Sequence, residues 1–321
     1  MRFHWEKLGL TFSPKEYSAG AWMNSHAQAP ASLLLDDRLR VYFATRPEPE
    51  NGQFVSYTGF VDLDRADPTN ILAVGDKPVL ELGDKGTFDE FGVYPLSAIQ
   101  YGDRIRAYYG GWTRCASVPF NVAIGCAESF DDGKTFRRIG PGPVVSYTPD
   151  EPFVISGPKI RRFSDMWHLY YIAGKRWVPA PNGPEPVYRI RMATSMDGLN
   201  WTREGRDLIE VQLEVDEAQA SPDVFFMNGR YHMFFCYRRS LDYRGAAGGY
   251  RIGYAHSDDA RNWTRDDQVA GIDVSPKGWD SEMVAYPHVF HVGGVTYMAY
   301  LGNGVGREGF GLARLTRIEG V

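Results

Sequence analysis

Arg40-Val-Tyr-Phe43, Arg106-Ala-Tyr-Tyr109, His168-Leu-Tyr-Tyr171, His232-Met-Phe-Phe235 and Tyr297-Met-Ala-Tyr300 are five copies of one aromatic strand pattern. Their closing aromatics lie 66, 62, 64 and 65 positions apart. A period that regular, built on short strands, predicts a β-propeller, in which small antiparallel sheets stand radially about a channel. The 321 residues hold about five such units. The expected fold is therefore all-β: a single five-bladed β-propeller of four-stranded antiparallel blades. The blades fall at about 20–82, 88–147, 150–211, 215–274 and 279–321 plus 1–14.

Outward from the aromatic strand, every repeat has the same order. A first strand begins at Pro30, Pro95, Pro158, Pro222 or Pro287 and ends in a tight turn such as Asn228-Gly229, a hairpin signal. A third strand follows, as in Val122-Ala-Ile-Gly-Cys126. Next comes a turn of the form Ser129-Phe-Asp-Asp-Gly-Lys-Thr-Phe136, Ser195-Met-Asp-Gly-Leu-Asn-Trp201 or Ser257-Asp-Asp-Ala-Arg-Asn-Trp263. The first of these matches the Asp-box pattern S-x-D-x-G-x-T-F/W of sialidases and other propellers. Its Ser and Asp side chains suit bonds to turn amides, which is an architectural role. Trp5-Glu-Lys-Leu-Gly9 resembles the outer strands that begin at Trp201 and Trp263, so the N-terminal segment is expected to close the ring as the missing outer strand of blade five.

Composition sets the limits. With 43% hydrophobic residues the chain can fill a large core, and a net charge of -5 gives no electrostatic support for nucleic-acid binding. No segment reads as a signal peptide or a membrane span. Three cysteines, an odd number without metal spacing, read as reduced residues of a cytoplasmic protein. Gly304-Val-Gly-Arg-Glu-Gly309 fits GxGxxG but lies between strands, so dinucleotide binding is not expected. No cofactor and no metal site are expected, although a ring of acids has the chemistry for one hard cation such as Ca²⁺ in the channel.

Antiparallel topology sorts the loops by face. Segments that precede first strands share a face with loops that follow second strands. The former carry Phe88-Asp-Glu90, Pro149-Asp-Glu151, Val215-Asp-Glu217 and Trp279-Asp-Ser-Glu282; the latter begin with Arg46, Arg114, Arg176, Arg238 and Arg307. Carboxylates from four blades at one mouth suit glycosidic acid–base chemistry, or else hold neighbouring blades together. The guanidinium forks suit an anionic substrate group, or neutralise the acids. Trp22, Trp112, Trp177 and Trp279 on the same face are candidate sugar-stacking platforms. Asn24, His26, Asp280 and His288 complete the candidate binding set.

At this point the residues resemble the five-bladed glycosidase clans, invertases and levansucrases on one side, arabinanases and β-xylosidases on the other. Ala21-Trp-Met-Asn24 is similar to the start of the invertase Trp-Met-Asn-Asp-Pro signature. Ser156-Gly-Pro158, followed by Met166-Trp-His-Leu-Tyr-Tyr171, resembles the Glu-Gly-Pro segment and its aromatic strand, and Ser195–Trp201 resembles the S-x-D-G-x-x-W turns. The resemblance covers nearly the whole chain and implies the propeller fold and a sugar substrate. It departs at the acids: the family positions hold Ser25, Ser156 and, in blade four, Ala220-Ser-Pro222. Either the catalytic set has moved into the inter-blade loops, as in more distant propeller glycosidases and mannoside phosphorylases, or the scaffold binds sugar without hydrolysis.

The working expectation is an enzyme of glycosidase type acting on a sugar or glycoside, with an anionic one among the candidates. Glu217 would be the general acid, Glu90 or Glu282 would activate water or phosphate, and Glu151 would tune them or bind hydroxyls. Arg114, Arg176, Arg238 and Arg307 would hold acids or an anionic group. Three alternatives stand beside it. A phosphorylase or sugar transferase would explain the arginine-rich mouth, and a glycan-binding propeller would explain the missing acids. A sialidase would require several arginines converging beside a Tyr–Glu pair. The oligomeric state is not legible.

Overall fold

The aromatic pair near the end of each second strand faces two ways, as successive strand residues must. The first ring reaches the next blade. Tyr42, Tyr108 and Tyr170 donate to the carbonyls of Gly133 (2.9 Å), Gly198 (2.6 Å) and Ala260 (3.4 Å), all in Asp-box turns. The second ring reaches its own blade's leading loop: Tyr109, Tyr171 and Tyr300 donate to Asp89 (2.9 Å), Glu151 (2.7 Å) and Asp280 (3.0 Å). In blades two and three one sequence pattern thus ties the blade both to its neighbour and to the acidic segment before it.

A computed structural model of the chain describes residues 1–17, 20–213, 216–246 and 248–320; Val215 of the fourth acidic segment lies outside them. Five four-stranded antiparallel sheets form the blades of a propeller. Blade one comprises Ser25–Leu34, Leu39–Arg46, Tyr57–Leu63 and Ile71–Val74. Blade two comprises Val93–Tyr101, Arg104–Arg114, Phe120–Ser129 and Arg137–Arg138. Blade three comprises Ser156–Phe163, Met166–Val178, Glu185–Ser195 and Thr202–Arg203. Blade four comprises Ala218–Met227, Arg230–Arg238, Arg251–Ser257 and Thr264–Arg265. The core lies between blades: Leu33 and Tyr42 of blade one pack with Val93, Leu96 and Ala107 of blade two. Among the described residues no helix is long and apolar enough to cross a membrane.

Blade five is made from both ends of the sequence. Ala285–Val292, Val295–Leu301 and Phe310–Glu319 are completed by Arg2–Phe12, which pairs from Arg2 opposite Glu319 to Phe12 opposite Phe310. The expected clasp is present. It depends on close approach at Gly309, whose φ is 147° and whose added Cβ would stand 1.8 Å from the Phe12 carbonyl oxygen. Gly309→Ala should therefore cost at least about 1–3 kcal/mol in strain. A thermal midpoint unchanged from the parent would show that the clasp adjusts freely.

The three Asp-box turns are alike in their bonding. Ser129, Ser195 and Ser257 hydroxyls donate to Asp131 (2.7 Å), Asp197 (2.9 Å) and Asp259 (2.9 Å). Turn amides donate in turn to Asp197 and Asp259, holding both carboxyls well below the usual carboxylate range. Gly304–Gly309 holds only a four-residue helical turn, Asn303–Gly306, and offers no helix N-terminus for phosphate.

One irregularity recurs in every blade. The first strands shift register between Gln28 and Ala31, Val93 and Leu96, Ser156 and Lys159, Ala220 and Asp223, and Ala285 and His288. Each gap contains the proline that marks the repeat, which lacks a donor for the ladder, so the strand bulges. The residues before four of these prolines are left-handed: Ala29 (φ 51°), Gly157 (62°), Ser221 (50°) and Tyr286 (51°). Bulges of this kind re-aim side chains. Here they set the lining of the site.

Candidate functional site

Ala29, Tyr94, Gly157, Ser221 and Tyr286, each the residue before a first-strand proline, border one cavity. A space bordered by equivalent residues of all five blades lies on the propeller axis. Its volume is about 1680 Å³, above the roughly 300–1,000 Å³ of ordinary small-molecule sites. Its walls mix aromatic faces with charged ends. Trp112 stacks on Tyr94 at 4.8 Å between ring centroids, with the planes 2° apart. Tyr188, Tyr243, Tyr250 and Tyr286 crowd the side formed by blades three to five.

The charge of the cavity is positive. Lys15, Arg46, Arg114, Arg238, Arg244 and Arg307 line it against the carboxylates of Glu16, Glu48 and Glu185. Glu48 accepts from the Asn24 amide (2.5 Å), and Glu185 accepts from the Tyr243 hydroxyl (2.8 Å) and from Arg244. Arg46 reaches only neutral partners, Gln28 Oε1 (3.0 Å) and Tyr94 Oη (3.3 Å), and its buried Nε has no partner among the described residues. Arg114 donates to the Phe54 carbonyl (3.1 Å) and lies 4.1 Å from the Phe91 ring centroid. Among the described residues the Arg307 guanidinium and the Lys15 amine make no hydrogen bond or ion pair. His26 sits among these groups with Nδ1 at 2.8 Å from Ser25 Oγ. Burial first, then Arg46, Arg307 and Lys15, push its pKa down to about 4, so the ring is neutral at pH 7.

Arg238 is 2% exposed and has no carboxylate partner among the described residues. Its donors reach Tyr250 Oη (2.9 Å), Tyr188 Oη (3.2 Å) and the carbonyls of Pro186, Arg239 and Ser240. Its guanidinium carbon stands 3.7 Å from the Tyr243 ring centroid. Such stacking favours a guanidinium over an ammonium.

The four glutamates do not meet at the mouth, and none of them lines the cavity. Each acidic segment is instead a clamp onto the fourth strand of its own blade. Arg138 binds Asp89 (2.8 Å), Arg203 binds Glu151 (2.5 Å), Arg265 binds Glu217 (2.7 Å) and Lys7 binds Asp280 (2.7 Å). Glu217 is fully buried and also accepts from the Gln212 and Leu213 amides and from Gln219. Glu151 accepts further from Tyr171 and Arg191. Glu90 turns to the Gly86 amide (2.8 Å), and Glu282 is half-buried away from the cavity. The expected acid ring is therefore a set of ties within blades, because a nearby cation in the outer strand captures one carboxylate of each segment.

Of the remaining candidates, Asn24, His26, Arg46, Trp112, Arg114, Arg238 and Arg307 line the cavity. Trp22 packs toward Gly59 and donates to the Asp76 carbonyl (3.2 Å), and Arg176 pairs with Asp216 at the surface. Trp177 packs against Phe120 and Phe153, and Trp279 against Tyr300. His288 lies two residues further along its strand than Tyr286, in a buried cluster on the channel side of the first strands. There Asp223 binds Arg161, accepts from the Val289 amide (2.5 Å) and lies 3.3 Å from His288 Nδ1. Lys159 Nζ is 3.3 Å from both the Pro30 carbonyl and His288 Nδ1. The residues missed by sequence reasoning are Glu185, Tyr243, Arg244 and the tyrosines. The pre-proline position would have found Tyr94 and Tyr286; no repeat marks the others.

Comparison with known proteins places this geometry. No protein-family model matches the chain. Two uncharacterized proteins of Mycobacterium tuberculosis, MT1551 and Rv1502, are each 36% identical to it over 97% of this chain and 99% of theirs. A 1,2-beta-oligomannan phosphorylase of Thermoanaerobacter sp. is 26% identical over 66% of this chain and 64% of its own. A solved glycoside hydrolase superposes with a TM-score of 0.77 at 18% identity, covering 99% of this chain and 93% of the other. A thermostable family-43 glycoside hydrolase does so with a TM-score of 0.67 at 15% identity and 92% coverage of both. The fold is that of the five-bladed propeller glycoside hydrolases.

Proposed function

The chain belongs to one family with the uncharacterized M. tuberculosis proteins MT1551 and Rv1502, and we propose that this member is a glycosidase-type enzyme that draws an anionic sugar into its axial cavity. One observation carries the reading. Arg46, Arg307 and Lys15 lie around His26 in a large axial cavity, and among the described residues none of the three forms an ion pair. Cations left without counter-ions in a partly dry site favour an anionic ligand, since the ligand supplies the missing charge. The stacked Tyr94–Trp112 face supplies an apolar wall of the kind a sugar ring packs against.

A second reading follows from the same cations: phosphate itself as co-substrate, in phosphorolysis. It is supported by the relative described as an oligomannan phosphorylase. It also fits a cavity without two free carboxylates at its centre, because phosphate brings its own nucleophilic oxygen.

Calorimetric titration with inorganic phosphate tests the site directly. Removing one charged donor from a bound anion costs about 1.5–3 kcal/mol, which is roughly 10- to 100-fold in affinity. Arg46→Gln and Arg307→Gln should each show that loss. A glycoside screen with and without phosphate then separates phosphorolysis from hydrolysis. Absence of any phosphate or sugar-phosphate affinity in the parent protein would remove the anionic reading.

A further inference from the structure

We propose that Tyr243 is the attacking group of this cavity and Glu185 its base, an assignment that rests on the sugar-processing reading above. The positions where propeller glycosidases carry acids hold Ser25, Ser156 and Ser221 here, and the acids of the leading loops are tied to outer strands. Among the described cavity residues, Glu185 is the carboxylate that accepts from a hydroxyl lining the same space, Tyr243 Oη at 2.8 Å. A hydroxyl beside a carboxylate that is itself oriented by a third group is the arrangement of an activated nucleophile. The third group is Arg244, which binds the other Glu185 oxygen.

The ring faces two cations. The Arg238 guanidinium lies 3.7 Å and that of Arg244 4.3 Å from the Tyr243 centroid. A cation over an aromatic face stabilises negative charge as it grows in the ring. Arg238 is buried and has no carboxylate partner among the described residues, so its charge is available to a phenolate. The hydroxyls of Tyr188 and Tyr250 bond to each other (2.8 Å) and to Arg238, and among the described residues neither reaches a carboxylate. Burial raises the Tyr243 pKa above its ordinary value. The phenol therefore stays protonated at rest and must pass its proton to Glu185 as it reacts.

The step balances as follows. Tyr243 Oη forms a bond to the anomeric carbon while the bond from that carbon to the leaving oxygen breaks, and the electron pair leaves with that oxygen. The phenolic proton moves to Glu185 Oε2. A leaving group that is already anionic, such as phosphate, needs no acid and departs toward the cations of blades five and one. Water or an acceptor hydroxyl then attacks the same carbon. Its proton passes to the departed anion, and the tyrosyl oxygen recovers its proton from Glu185.

An electrophile tests the pair without a known substrate. The full chain is incubated with 4-(2-aminoethyl)benzenesulfonyl fluoride, which would couple its sulfur to Tyr243 Oη and release fluoride, and the modified peptides are mapped by mass spectrometry. Tyr243 should react at least tenfold faster than any other tyrosine. Glu185→Gln should slow it tenfold or more. Glu185→Asp should recover part of the rate, with thermal midpoints confirming that both variants fold. Uniform labelling of tyrosines, or an unchanged rate in Glu185→Gln, overturns the assignment. Rapid labelling that inorganic phosphate fails to slow would keep the tyrosine and remove the anionic-sugar reading. Phosphate binding beside an unreactive Tyr243 would do the reverse.

Discussion

Asp223→Ala is expected to destabilise the protein by about 3–5 kcal/mol, the usual cost of breaking a buried ion pair from one side. Asp223 is fully buried and serves Arg161, His288 and the Val289 amide at once. Its removal leaves Arg161 without that carboxylate and Lys159 buried beside a carbonyl and an imidazole, with no anion in its place. For a chain of this size the midpoint should fall on the order of 10 °C. A change of less than about 1 kcal/mol in denaturant titration would mean that water or a counter-ion already shares the load.

The same cluster sets the pH dependence. Burial outweighs the attraction of Asp223 and lowers the His288 pKa from 6.5 to about 4. Between these values the unfolded chain takes up a proton that the native state refuses, so stability falls as pH drops from 6.5 toward 4. Burial likewise lowers Lys159 from 10.5 to about 8, so stability rises with pH across that interval. Asp223 is depressed below the usual carboxylate range, chiefly by Arg161 against the opposing effect of burial. Its contribution is present above the unfolded pKa of about 4 and is lost only in stronger acid.

Glu217→Ala should show an equally large effect of a different kind. Arg265 is buried beside it at 2.7 Å, and two backbone amides and the Gln219 amide depend on its oxygens. Loss of about 3–5 kcal/mol is expected, while phosphate affinity stays within about twofold, because Glu217 does not border the cavity. Unchanged stability with abolished turnover would restore the role that its position before a first strand suggested.

These two residues show how far the sequence can be read. The repeat fixed where strands, turns and the closing strand fall, because spacing along a chain maps directly onto strand order. It also brought four of the five post-strand arginines to the cavity, since those side chains follow strands that end at the mouth. It misread the acids because spacing places a Cα, not the direction of a carboxylate. Glu151 and Glu217 had an arginine in the outer strand of their own blade, at Arg203 and Arg265, and turned to it. Glu185 and Tyr243 escaped notice for the opposite reason: they stand in blade three and in a blade-four loop, at positions with no counterpart in the other repeats.

Blade five, assembled from residues 2–12 and 285–319, has a consequence for how the molecule is made. On the ribosome the first strand emerges with no partner and must wait while four complete sheets form behind it. Its pairing closes a loop that runs from Phe12 to Phe310, an entropic debt that grows only slowly with loop length but must be met before the last sheet is complete. Until then two unpaired strand borders face solvent, and they are where a half-made molecule would most readily join another.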